Sequence, residues 1–194
     1  MKFLNLTIMA LMALTITFGQ ASAQTAANPT CDTYLEKLPT QQGGREKPLY
    51  VHASEVIKYL TGKSKLGDMP AVTAYCALSL AKQYPEAKPE VQVYVQHKDL
   101  LTFLDLPADT KSVKISSLLP KFDLIGSEYM GIKEETSYKK SLKALAEKIN
   151  LYTNLTEGKN WKVPYFGGHQ SKSKDEILWY SISELSMVKK DLVF

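Results

Sequence analysis

The chain has few of the residues that most protein chemistries need. Its 194 residues include two cysteines and three histidines, and its ten glycines never form a phosphate-binding loop. No His-x-His, His-Glu-x-x-His or Cys-x-x-Cys pattern occurs, although metal sites usually have some ligands at such short spacing. We therefore expect neither a metal nor a cofactor.

An excess of charge of one sign is also missing. The formal net charge is +4, and one of those charges is Lys2 at the extreme N-terminus. Proteins that bind nucleic acid usually concentrate basic residues on one face. We therefore expect no nucleic-acid partner, while a weak preference for anionic surfaces stays open.

The N-terminal segment, residues 1–23, has the order of a secretory signal peptide. Lys2 precedes an uncharged, largely apolar run over residues 6–18, and Ala21-Ser22-Ala23 supplies the small residues of a cleavage site. The run is shorter than the roughly 20 residues of a spanning helix. We predict cleavage after Ala23 and bacterial export to the periplasm or the medium, with an uncleaved anchor as the alternative. No later segment is apolar enough to span a membrane.

The remaining chain, residues 24–194, has the length of one globular domain. Residues 24–29 are small and polar, and we expect a flexible lead-in there. Cys31 and Cys76 are the two cysteines, and an isolated pair in an oxidising compartment most often forms one disulfide. Closing that loop would contribute roughly 4 kcal/mol. The alternative, a nucleophilic cysteine, requires the other thiol to stay free.

Helical spacing is strongest in two segments. Residues 69–84 are apolar nearly all round, which is typical of a helix at the centre of a core. Residues 133–153 carry one apolar stripe with lysines largely off it, which predicts an amphipathic helix whose basic face is solvated. Contact of that face with an anionic envelope surface is the alternative. Two shorter helices are predicted at 30–38 and 54–60, with a flexible loop at 41–44 and Gly62 as a C-terminal cap.

A two-residue period identifies the strands. Val91, Val93 and Val95 alternate with polar residues, and residues 113–115 are a candidate partner strand. Residues 173–190 have near-helical apolar spacing after a capping-box pattern, and their aromatic and β-branched content keeps a strand interpretation open. We predict a single, mainly helical α+β domain, with a small sheet packed against two long helices and one disulfide.

Catalytic patterns are weak. Ser137-Tyr138-Lys139-Lys140 matches the Ser-x-x-Lys element of penicillin-interacting enzymes, and Tyr152-Thr153-Asn154 matches a second element. Both would lie on one helix roughly 22 Å apart, so we interpret them as chance matches. Catalysis by Cys76 with His97 or His169 is disfavoured because a reactive thiol is typically partly exposed.

One loop stands out, between the predicted helices 133–153 and 173–190. It contains Trp161, Tyr165, Phe166 and His169, with two adjacent glycines. Aromatic side chains give contact area at low entropic cost, and function tends to lie on loops. We predict a binding site there. The alternative is that the aromatic rings fold back onto the core.

The absence of a catalytic constellation favours an exported, non-catalytic binding protein, of the inhibitor, immunity or adaptor kind. Its expected partner is another exported protein or an envelope component. Two alternatives stay open: a small secreted hydrolase acting on an envelope polymer, and a carrier with an apolar pocket for a small ligand.

Overall fold

A computed structural model describes residues 33–165 and 177–185. The fold is α+β with several helices, as predicted, and the described strands form four two-stranded sheets where the sequence predicted one small sheet. The predicted signal peptide, the lead-in and Cys31 lie outside the described residues. So do Phe166, His169 and the start of the predicted helix 173–190.

The chain begins with a short helix and a hairpin. Helix α1 spans Thr33–Glu36, and strands β1 (Pro39–Gln42) and β2 (Arg45–Pro48) pair antiparallel. Gly43 and Gly44 have φ of 57° and 76°, the two positive values that a type I′ turn requires. The prediction of a flexible loop at 41–44 is therefore wrong, because these glycines form a tight hairpin turn. The helix predicted at 30–38 is confirmed only over α1.

Two helices follow and pack on each other. Helix α2 spans Leu49–Thr61 and ends at Gly62, whose φ is 73° and whose N–H donates to the Lys58 carbonyl. The predicted glycine cap is confirmed, while the start predicted at residue 54 is wrong, since the helix begins directly after Pro48. Strands β3 (Lys65–Leu66) and β4 (Met69–Pro70) form a minimal hairpin before helix α3, Ala71–Ser79.

Helix α3 lies in the core. It is buried at every position except Thr73, so the prediction of a central helix is confirmed. It is shorter than the predicted range, because Met69 and Pro70 pair with β3 and the helix ends at Ser79. A 3₁₀ turn over Pro85–Ala87 follows.

The predicted strand pair is confirmed. Strand β5 (Gln92–Tyr94) pairs antiparallel with β6 (Ser112–Lys114), with Val93 opposite Val113. Helix α4 (Lys98–Phe103) connects them, and α5 (Ile115–Leu118) follows directly. The three alternating valines, Val91, Val93 and Val95, are at most 1% exposed.

Two further helices then pack against each other. A 3₁₀ turn over Leu119–Lys121 leads into α6 (Phe122–Gly131), which packs against α7 (Ser137–Thr156). Helix α7 begins later than predicted because the Thr136 hydroxyl caps it by accepting from the Lys139 N–H. The apolar stripe is confirmed: α7 buries Leu142, Leu145, Ile149, Tyr152 and Leu155.

The last hairpin corrects a prediction. Strand β7 (Lys162–Tyr165) pairs antiparallel with β8 (Leu178–Ser181), and residues 182–185 are helical. The predicted helix is therefore wrong over Leu178–Ser181, where the strand interpretation holds. Pairing with β7 outweighs the local spacing of apolar residues, and Trp179 and Tyr180 suit a strand.

Candidate functional site

Tyr94 is presented on the outer face of a buried strand. Its neighbours Val93 and Val95 point into the core, whereas Tyr94 is 43% exposed. A Cβ placed on Gly62 would lie 3.5 Å from the Tyr94 ring, so the ring rests directly on the backbone of the α2 cap. The aromatic side chain is thus supported by rigid elements while it stays open to solvent.

A polar cavity of about 320 Å³ lies on one side of this ring. It is formed by the loop after α2 and by the outer face of the β5–β6 hairpin. The Ser112 hydroxyl donates to Gln92 Oε1 at 2.9 Å, which orients the Gln92 side chain. The remaining lining residues are Thr61, Lys63, Lys65, Leu66, Gly67 and Glu90.

A second cavity, of about 230 Å³, lies between β5 and α7. Tyr94 borders this cavity as well, so its ring stands between the two. The residues contributed by the segment after Tyr94 and by α7 are Val95, Gln96, His97, Leu100, Ser141, Ala144, Leu145 and Lys148. We call the two cavities together with Tyr94 the Tyr94 surface.

The Tyr94 surface carries an excess of uncompensated positive charge. Glu90 is held by Lys114 at 3.6 Å and by the Ser116 hydroxyl. Lys63, Lys65 and Lys148 have no carboxylate partner within the described residues. Burial lowers the pKa of Lys148, whose ammonium lies 5.9 Å from the centre of the Tyr59 ring.

His97 and Ser137 form a hydrogen-bonded pair beside the second cavity. His97 Nε2 lies 3.0 Å from Ser137 Oγ at the first turn of α7. His97 Nδ1 is buried and has no hydrogen bond in the described part of the chain; Asp99 Oδ2 is 3.7 Å away, which is too long for one. The pair resembles half of a serine–histidine arrangement without a bonded third member.

The other described histidine, His52, is completely buried. Its Nδ1 lies 2.9 Å from Gln42 Oε1 and its Nε2 lies 3.0 Å from Asn160 Oδ1, which also accepts from the Tyr75 hydroxyl at 3.0 Å. Burial lowers the pKa of His52, so the ring is neutral and donates from one nitrogen only. When Nε2–H donates to Asn160 Oδ1, Nδ1 carries no proton, and only a rotated Gln42 amide group, with its NH₂ in place of Oε1, would donate to it.

Trp161 is part of this buried region. It is 5% exposed, and its ring packs edge-on against Tyr75 with the ring centres 5.9 Å apart. The prediction of a binding loop at 161–169 is therefore only partly addressed. Tyr165 contributes its backbone to β7, and Phe166 and His169 lie outside the described residues. Among the described residues, the structure brings Trp161 together with Tyr75 and His52.

Cys76 lies on α3 and is completely buried. The predicted Cys31–Cys76 disulfide stays a prediction, because Cys31 lies outside the described residues.

Within residues 33–165 and 177–185, no three His, Cys, Asp or Glu side chains converge as metal ligands would. Over the same part of the chain, no helix combines the length and the hydropathy that crossing a bilayer demands.

No protein-family model matches the chain, and no curated protein is similar to it at a significant level. The function proposed below is therefore inferred from the geometry of the Tyr94 surface and of the His97–Ser137 pair.

Sequence reasoning did not identify the Tyr94 surface. The signal that was present is the alternation at 91–95, which already placed Tyr94 on the solvent side of the strand. The pairing of His97 with Ser137 had no such signal, since 40 residues separate them.

Proposed function

We propose that this chain is an exported binding protein that contacts another exported protein or an envelope component through the Tyr94 surface. The signal-peptide pattern of residues 1–23 supports export. A disulfide between Cys31 and Cys76 in one globular domain belongs to the same proposal, because export places both thiols in an oxidising compartment.

The observation that carries the proposal is the exposed Tyr94 ring on a rigid strand between two cavities. Tyrosine is enriched where binding energy is concentrated, since it offers a large amphipathic surface and loses few rotamers on binding. A ring held in place by Gly62 loses still less freedom.

Replacement of Tyr94 tests the proposal. Tyr94→Ala should keep the fold, because the ring is outside the core, and should lose a partner captured from the native envelope fraction by the wild-type mature protein. Tyr84→Ala is the matched control, since Tyr84 is also 43% exposed but lies outside both cavities. Equal capture by wild type and Tyr94→Ala would refute a binding role for this surface.

The proposed disulfide has its own test. Intact-mass analysis of the mature protein should show two mass units gained on reduction and a chain that begins after Ala23. Two free thiols in the native product would contradict the bridge and remove the constraint between residues 31 and 76.

A carrier of an apolar ligand has less support. Such a protein needs an enclosed, mainly apolar cavity. The two cavities beside Tyr94 are only partly enclosed, and charged or polar side chains line them together with apolar ones. The same holds for a hollow of about 450 Å³ whose rim includes Lys82, Lys88 and Glu157.

A hydrolase is the second candidate, favoured by the His97–Ser137 pair. His97 Nε2 could take the Ser137 proton while Oγ attacks an ester carbonyl, and return it to the leaving alkoxide; water would then release the acyl group by the same steps. The N–H groups of Ser137 and Tyr138 begin α7, where they lack intrahelical partners, so they are available to a developing oxyanion.

A reactive fluorophosphonate distinguishes the two candidates. If Ser137 is a nucleophile, the wild-type protein is labelled, while Ser137→Ala and His97→Gln are not. Ser141→Ala is the control, because Ser141 lies one turn further along α7 and borders the same cavity. No labelling of the wild type, or equal labelling of Ser137→Ala, would rule out the hydrolase.

A further inference from the structure

The edge of β5 that faces away from β6 has unpaired backbone groups. Val95 N–H donates to the Lys111 carbonyl, and Ile115 N–H donates to the Val91 carbonyl. In an antiparallel pair, hydrogen-bonded positions alternate, so Val93 also bonds to β6 and the intervening residues do not. The N–H and C=O groups of Gln92 and Tyr94 therefore point away from β6.

Those groups have no partner in the described structure. Within the described residues, the main-chain N–H and C=O groups of Gln92 and Tyr94 take part in no backbone hydrogen bond. No described side chain bonds to these main-chain groups either, and the Ser112 bond at Gln92 involves the Gln92 side chain. An open strand edge of this kind is a template for a further strand. The N–H and C=O groups of Gln92 and those of Tyr94 lie two residues, about 7 Å, apart along the strand. The groups on one hydrogen-bonding edge of an extended peptide have the same spacing.

The second cavity begins at the Tyr94 end of this open edge. Tyr94, the segment after it with Leu100 of α4, and α7 line the cavity, and no residue of β6 does. The cavity is therefore on the side of β5 away from its partner strand. A chain that enters it would run between the β5 edge and the surface of α7.

The positive charge around this path favours an acidic chain. Lys148 borders the cavity and is half-buried without a described carboxylate. Lys63 and Lys65 lie beyond Tyr94 around the first cavity, again without such a partner. A half-buried ammonium without a counter-ion gains more from an incoming anion than a solvated one, because water screens it less.

We propose that an extended acidic segment of a partner protein adds to the free edge of β5. Its main chain bonds to Gln92 and Tyr94, one carboxylate meets Lys148, and others meet Lys63 and Lys65. This inference rests on the proposed binding function of the Tyr94 surface and specifies its partner. A peptide is favoured over an acidic glycan because the open groups are main-chain pairs with strand spacing.

The experiment uses three fluorescent probes on the mature protein: an eight-residue alternating Glu-Val peptide, the matching Lys-Val peptide, and an oligogalacturonate as the acidic glycan. We expect the Glu-Val peptide alone to bind, with an affinity that falls as salt is raised. Lys148→Met should weaken that binding at least five-fold. Lys143→Met is the control, since Lys143 lies on α7 near Glu147, at 3.9 Å, and outside the cavity.

Amide hydrogen exchange detects pairing of the peptide with the β5 backbone, which attraction between charges alone would not produce. Binding of the Glu-Val peptide should slow exchange at the Gln92 and Tyr94 amides, whereas the Val93 amide is already bonded to β6 and should change little. Circular dichroism of each lysine variant checks that the fold is retained.

Three results would overturn the inference: no binding of the Glu-Val peptide, equal binding by Lys148→Met, or exchange at Tyr94 that the peptide does not slow. Selective binding of the oligogalacturonate would replace the peptide with a glycan. Each of these can occur while Tyr94→Ala still loses the native partner, in which case the proposed function stands and only the strand-addition inference fails. Retention of the native partner by Tyr94→Ala would instead remove the proposed function.

Discussion

The two described histidines illustrate two different uses of one side chain. His52 is completely buried, and both ring nitrogens face amide groups of Gln42 and Asn160. His97 is partly exposed; one nitrogen meets Ser137 Oγ and the other has no described hydrogen bond. The fold supplies a neighbouring amide group to each nitrogen of the buried ring, whereas one nitrogen of the His97 ring has no described hydrogen-bond partner.

The difference extends to the regions around them. Asn160 and Tyr75 contact His52, and Trp161 packs against Tyr75. His97 lines the second cavity together with Tyr94. We therefore expect the His52 region to stabilise the fold, and the proposed binding function belongs to the region around His97. The following substitutions test that division from the largest expected effect to the smallest.

Trp161→Ala should have the largest effect on stability. Loss of a buried tryptophan leaves a cavity and costs about 3–5 kcal/mol in the free energy of unfolding. Tyr94→Ala removes an exposed ring and should change the free energy of unfolding by less than about 1 kcal/mol. Urea unfolding measures both. A Trp161→Ala protein as stable as Tyr94→Ala would show that the Trp161 ring does not stabilise the core.

Asn160→Ala should come next. Its amide oxygen serves both His52 and the Tyr75 hydroxyl, and each buried group left without a partner costs about 1–3 kcal/mol. Asn150→Ala is the matched control, because Asn150 is exposed and bonds only to Asn154 on the same helix. If the two variants unfold at the same urea concentration, the network around His52 does not stabilise the fold.

The pH dependence of stability should report on His52. Burial lowers the pKa of His52 below 6.5, so the unfolded chain binds a proton at a pH where the folded protein does not. This contribution to the free energy of unfolding is complete above pH 6.5 and declines as the pH falls toward the lower, folded value. Urea unfolding across this pH range should show a flatter decline in His52→Gln; the same decline as in the wild type would contradict the assignment.

Ser137→Ala should have the smallest effect. The hydrogen bond to His97 is solvent-accessible, and such a bond contributes only about 0.5–1.5 kcal/mol net. Thermal unfolding should place this variant close to the wild type. A larger loss would mean that the pair stabilises the junction of β5 and α7, which would weaken its interpretation as a chemical site.

Several elements were predictable because their patterns are local. The alternation at 91–95 depends on one strand, and the stripe of α7 depends on one helix, so each is visible within about 20 residues. Gly62 was recognisable because a left-handed cap position strongly favours glycine. The helix predicted over 178–181 was wrong because β7 supplies a partner strand that no local window contains.

The candidate site follows the same rule. That Tyr94 faces solvent was contained in the sequence, since the valines on either side of it had to be buried. The cavities beside it were not, because α2, β6 and α7 bring their lining residues together from separate parts of the chain.

The sequence by itself determined the class of fold, the orientation of β5 and α7 toward the core, and the pattern that predicts export, since each follows from residue order within a single segment. Only the tertiary structure decided that Trp161 is buried, that His97 meets Ser137, and that the outer edge of β5 lies open beside Lys148. The physical reason is that burial and hydrogen-bond partners depend on contacts between distant segments, and those contacts exist only after the chain has folded.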